Sequence, residues 1–208
     1  MEALRMYLLT VLAGWTSGIS LYLTVAILGI FSRAGWIDLP GNLNTLSNPF
    51  VIGLALILYF IEFIADKIPF VDSAWDSVHT LIRPAGAAAA GYLAGSGDGA
   101  AIQTALALAA GTFALDAHAL KASTRLAINT SPEPFSNIAA SLAEHSFVIF
   151  IFWFFIKHPV WACVIILTLA VLSIWLLRIL WRFVRAVFKK IFGGAAKPTS
   201  DPEATGGN

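Results

Sequence analysis

Apolar residues dominate long stretches of the chain, and short polar clusters rich in Pro, Gly and Asn separate them. A bilayer core of about 30 Å needs roughly 20 mostly apolar helical residues. On that rule the pattern predicts spans near 6–31, 49–68, 72–95, 98–128, 135–157 and 159–182. The third is the hardest to place, because Pro84 to Gly95 is too short alone and must borrow the polar segment Asp72 to Arg83. Pro84 would kink that helix or mark where an interfacial helix turns into the membrane. A five-span count therefore stays open. The first stretch imitates a signal peptide, but its apolar run continues to Phe31 without a small-residue cleavage site, which predicts a retained span.

Helical phase sorts the polar residues inside these stretches. Tyr59, Glu62 and Asp66 share one face, and Asp72, Asp76, His79 and Arg83 form a stripe. His118, Lys121 and Arg125 share a face that excludes Asp116, and Asn137, Ser141 and Glu144 share another, with His145 beside it. Ionisable residues within a bilayer are expensive and point to function by default. Together they predict a polar cavity, open to the cytosol, between spans two, three, four and five. Mutual neutralisation is the plainer alternative for any single residue. Ser17 and Ser20 beside Gly18, Ala87 to Gly91 and Ala105 to Gly111 suit close helix packing.

Composition agrees with this reading. The 208 residues are 58% apolar and 12% charged, with a mean hydropathy of +0.79; soluble domains carry about 25% charge. Disorder and nucleic-acid binding are excluded, and an all-α integral membrane protein of about six transmembrane helices is expected over 1–192. The net charge is +1, and the single Cys163 excludes an intrachain disulfide. Basic residues orient the chain. With both termini cytosolic, Arg5, Lys67, Arg83, Lys121, Arg125 and the basic tail lie inside, and only Arg33 and Lys157 outside. Trp36, Trp153 and Trp161 suit the outer interface, Trp175 and Trp181 the inner one. Arg178, Arg182, Arg185 and Lys189 share a face suited to an anionic leaflet. Residues 193–208 read as a disordered cytosolic tail.

The halves also rhyme. A loop ending Asn48-Pro49-Phe50, a span and Lys67-Ile68-Pro69 match a loop ending Glu133-Pro134-Phe135, a span and Lys157-His158-Pro159. Two inverted three-helix repeats, 6–95 and 98–190, would follow the plan of many secondary transporters.

Between spans four and five, Asn129-Thr130-Ser131-Pro132-Glu133-Pro134 stops one helix and starts the next, with Ser131 as a cap. The exposed N–H groups of the next helix, with Lys121 and Arg125 nearby, suit a phosphate or carboxylate. Asp72, Asp76 and His79 offer an alternative metal set, although no paired-His motif appears.

Ser17-Gly18-x-x-Leu21-Tyr22, Glu62-Phe63-x-Ala65-Asp66-Lys67-x-Pro69, Trp75-Asp76-x-x-His79-Thr80-x-Ile82-Arg83-Pro84 and His118-x-x-Lys121-Ala122-x-x-Arg125 carry a resemblance, together with the 129–134 run. On these motifs, over roughly residues 10–190, the chain resembles a bacterial family of small multi-span proteins catalogued as a domain of unknown function. The resemblance implies an integral inner-membrane protein and nothing about substrate.

The expectation is a small transporter or flippase-like carrier for an anionic substrate, a small molecule or a lipid headgroup. Lys121 and Arg125 would grip the anion, with Asn137 beside them. Glu62, Asp66 and Glu144 would supply counter-charge or proton coupling, and His118 or His79 would tune it. No catalytic residue and no cofactor is assigned. Membrane lipids are the expected surroundings, and self-association is compatible with such a chain. The alternatives are a metal-dependent enzyme acting on a phosphorylated lipid and a non-catalytic scaffold.

Overall fold

The computed structural model describes residues 2–130 and 134–192. The Ser131 cap and the tail 193–208 lie outside the described residues, as do the side chains of Arg185 and Lys189. The described chain is helical throughout: α1 Glu2–Ile19, α2 Leu21–Arg33, a short 3₁₀ segment Gly41–Ser47, α3 Pro49–Ala65, α4 Val71–Ala94, α5 Ala100–Ile128, α6 Pro134–Lys157 and α7 Pro159–Phe192. Prolines open α3, α6 and α7, where a missing N–H costs nothing. Three helices, α5, α6 and the Pro159–Ile179 part of α7, are long and apolar enough to cross a membrane, and a fourth span arises if the 3₁₀ segment and α3 count as one.

The stretch 6–31 is not one crossing. The chain reverses at Ser20, whose backbone is extended (φ −149°, ψ 102°) and whose side chain caps α2. Arg5 donates to the Ile156 carbonyl, and Tyr7 to Asp98. Arg5, Met6 and Leu9 line one small cavity together with Trp36, Ile37 and Asp38, only a few residues beyond the end of α2. Both arms therefore start and finish at one end of the bundle, here called the upper end. Ser96, which bonds the Asn42 N–H, also lies there. The turn at 66–70, the end of α5 at Ile128 and the start of α6 at Pro134 mark the lower end.

This re-entrant hairpin corrects the topology. Helices α3 to α7 each run between the two ends, so α1 begins at the upper end and α7 finishes at the lower one. The two termini of the described chain lie at opposite ends, not on one side. A run of about 26 apolar residues is longer than one span needs, and the surplus is folded back. Helices α3 and α4 run opposite to α6 and α7, as inverted repeats would, whereas α5 is one continuous helix where the first half has a hairpin. Helix α4 passes through Pro84 without a break.

Small residues seat the hairpin. Gly14 lies against Ala110, Gly18 against Ala114 and Ala117, and Gly91 against Leu106 and Ala110. Close backbone approach of this kind drives helix association where lipid removes the hydrophobic gain. Asp116 faces away from the polar cluster and accepts from Trp15 (3.3 Å) and Ser173 (2.5 Å), tying α1 and α7 to α5. The buried face of α4 changes character along its length: Asp72, Asp76, His79 and Arg83 in the lower half, Ala87, Gly91 and Ala94 in the upper.

Candidate functional site

The charged stripes of α3, α4, α5 and α6 converge below the hairpin tip. They form a buried ion network and not a solvent-open cavity: Glu62, Asp66, Arg83, Arg125 and Asn137 are fully buried, and Glu144 alone among the paired carboxylates keeps an appreciable side-chain exposure, 18%. Each helix brings groups of opposite sign to a neighbour, so the polar faces pair with each other.

Lys121 is the hub. Its Nζ donates to Asp66 Oδ2 at 2.6 Å and lies within 4.0 Å of carboxylate oxygens of Glu62, Asp76 and Glu144. Arg83 Nη2 donates to Glu62 at 2.6 Å and stands 3.1 Å from Asp76, and its Nη1 donates to the Gly18 carbonyl and to His118 Nδ1. His118 must then carry its proton on Nε2, which donates to Thr80 (3.1 Å). Arg125 donates to Glu144 (2.7 Å), to the Asn137 carbonyl (2.9 Å) and to its side-chain oxygen. The Asn137 amide donates to Asn129, whose own amide donates to Asp72.

The hairpin tip supplies partners that no side-chain pattern displays. A break at Ser20 leaves the last carbonyls of α1 without intrahelical donors, and two of them accept from cations: Gly18 from Arg83 (3.0 Å) and Ile19 from Lys121 (3.2 Å). The negative end of the α1 dipole thus meets positive charge. On the other side of the break, Ser20 donates to Glu62 at 2.5 Å and caps α2. Ser20→Ala removes both bonds and is expected to cost about 1–2 kcal/mol, read as a lowered unfolding midpoint in detergent.

All seven residues expected to bind substrate, Lys121, Arg125, His118, Glu62, Asp66, Glu144 and Asn137, therefore lie in one network. Arg83, Ser20, Asn129 and the Gly18 and Ile19 carbonyls belong to it as well. Arg83 is visible in the α4 stripe; Ser20, expected from the sequence only as a close-packing residue, instead breaks the helix and caps the next one. The alternative metal set does not converge. Asp72 is held by Asn129 and the Ser73 N–H, Asp76 lies beside Arg83, and His79 donates to the Trp75 carbonyl while accepting from Tyr22. Among the described residues no group of three His, Cys, Asp or Glu is placed to hold a metal ion.

No curated protein and no solved structure matches the chain. One protein family does, over residues 7–179, which takes in the hairpin, every helix of the network and most of α7. The chain thus belongs to the family described as "Domain of unknown function (DUF4126)".

Proposed function

We propose that this protein is a small membrane carrier for an anionic group, a phosphate or a carboxylate. The observation that carries this reading is the seat of the hairpin: at its tip, a re-entrant element meets the bundle through hydrogen bonds to charged side chains, which can be exchanged. Broken helices whose ends meet charges inside the bilayer are the recurring device of secondary transporters.

The anion's route is the Arg125–Glu144 pair. Glu144 is the partly exposed member, and Lys121 stands 3.8 Å from the same carboxylate oxygen. An incoming phosphate or carboxylate would replace Glu144 on Arg125, exchanging one anion for another, so Arg125 would keep an anionic partner. In the bilayer of a bacterial inner membrane, the lower end with the basic end of α7 would face the cytosol. The outer face of α3, including Phe50, Ile57 and Phe60, would meet lipid.

A thermal-shift panel on the full chain in detergent tests this, using phosphate, small carboxylates, anionic lipids and lipid phosphates. A ligand that binds only the folded state at 100 times its dissociation constant adds about 2.7 kcal/mol. The stabilisation is expected to shrink in Arg125→Lys, which keeps charge but loses the bidentate grip, and to grow in Glu144→Gln, which removes the internal competitor. Equal response in all three proteins, or none in any, would overturn the carrier reading. It would favour a scaffold, the second reading, which draws on the fact that Arg83, Lys121 and Arg125 already donate to internal acceptors.

A further inference from the structure

The network's charges do not balance. Four carboxylates, Glu62, Asp66, Asp76 and Glu144, surround Lys121, whereas only three permanent cations, Arg83, Lys121 and Arg125, stand among them. At the margins, Lys67, which donates to the Phe63 carbonyl and Ser141, and Asp72, which is held by Asn129, add one charge of each sign, so counting them leaves the same excess of one negative charge. The histidines add no charge. His118 accepts from Arg83 at Nδ1. Ser141 accepts from Lys67 and lies 3.3 Å from His145 Nδ1; with the Ser141 proton assigned to Nδ1, His145 is neutral and its Nε2–H stands 3.8 Å from Asp66.

Hydrogen bonding singles out one carboxylate. Glu62 accepts from Ser20 and Arg83 on its two oxygens, Asp66 accepts from Lys121, and Glu144 accepts from Arg125. Asp76 is 2% exposed, yet neither of its buried carboxylate oxygens has a hydrogen-bond partner. Arg83 lies 3.1 Å away, but its Nη groups are aimed at Glu62, Gly18 and His118. Lys121, at 3.9 Å, is aimed at Asp66 and Ile19. A buried, ionised carboxylate without hydrogen bonds is the costliest state available to this cluster, and the neutral acid relieves it.

We propose that Asp76 is a proton-binding site, taking an exchangeable proton from water at the lower end of the bundle. An O–H bond forms on one carboxyl oxygen, and the network becomes neutral. Loss of that proton returns a full negative charge beside Arg83, which then competes with Glu62 for the guanidinium that clamps the Gly18 carbonyl. The protonation state of Asp76 thereby acts on the hairpin tip. Its role as the coupling ion rests on the carrier reading; the proton's seat does not.

Infrared spectra of the full chain in detergent at neutral pH, in H₂O and D₂O, test the seat directly. Wild type is expected to show the carbonyl-stretch band of a buried carboxylic acid, shifted in D₂O. The band should vanish in Asp76→Asn and persist in Glu144→Gln. Asn imitates the neutral acid in size and charge, so Asp76→Asn should keep its helical circular dichroism and lose the pH dependence of its midpoint. The wild-type spectrum alone can overturn the proposal, since absence of the band means every carboxylate is ionised. A band removed by Glu144→Gln would place the proton elsewhere, and stabilisation by sodium without any band would make the ligand a metal cation. A silent anion panel would remove the carrier reading and leave this site standing.

Discussion

Arg83→Ala is expected to yield little or no folded protein. Arg83 is fully buried and bridges three helices, with Glu62 and the Gly18 carbonyl as acceptors, His118 Nδ1 as a third and Asp76 beside it. Removing one partner of a buried ion pair costs about 3–5 kcal/mol, because the remaining charge is left unsolvated. The orphaned carbonyl and imidazole nitrogen add about 1–3 kcal/mol each. Against a total stability of about 5–15 kcal/mol, such a loss is decisive. Pairing Arg83→Met with Glu62→Gln should recover a good part of the stability, since it removes both buried charges together. Detergent unfolding midpoints and elution profiles of the single and double variants check this. A single variant that unfolds like the wild type would show that the ion pair contributes nothing to the fold.

Gly18→Val should be nearly as damaging, for a steric reason. A Cβ at residue 18 would collide with the Ala114 carbonyl, the Ala117 Cβ and the His118 nitrogen, and two of these are backbone atoms of α5 that cannot step aside. Overpacking typically costs about 1–3 kcal/mol and occasionally more. Here it also lifts the hairpin tip away from Arg83 and Lys121, so the penalty extends to the ion network. Gly53→Ala is the matched control. Nothing lies within 4 Å of a Cβ there, in the middle of α3. Helix propensity alone should then raise stability by up to about 1 kcal/mol. The two glycine variants are expected to move the unfolding midpoint in opposite directions, and a Gly18→Val protein as stable as wild type would refute the seated hairpin.

Helix limits were legible in the sequence because they rest on local chemistry. Pro49, Pro134 and Pro159 start helices wherever they fall, and the Gly95–Gly99 turn ends one. The faces were legible too, since residues three and four apart on a helix must share one side. This brought Glu62 with Asp66, and Lys121 with Arg125. Pairing across helices was not legible, because phase states which way Lys121 points but not whether Asp66 or an external anion meets it. The expected cavity became a closed network for that reason. The reversal at Ser20 left even less trace. Periodicity is indifferent to a single extended residue, and the Gly18 and Ile19 carbonyls carry no side-chain signature at all.

That reversal bears on how the protein is made. The hairpin's partners come late in the chain: Glu62 follows Ser20 by 42 residues, Arg83 follows Gly18 by 65, and Lys121 follows Ile19 by 102. Until α4 and α5 have been synthesised, the Gly18 and Ile19 carbonyls lack the cations they meet, and bare backbone polar groups are not tolerated in lipid. The hairpin therefore closes onto the bundle only once α3, α4 and α5 are in place, so its seat forms well after the hairpin itself has been translated.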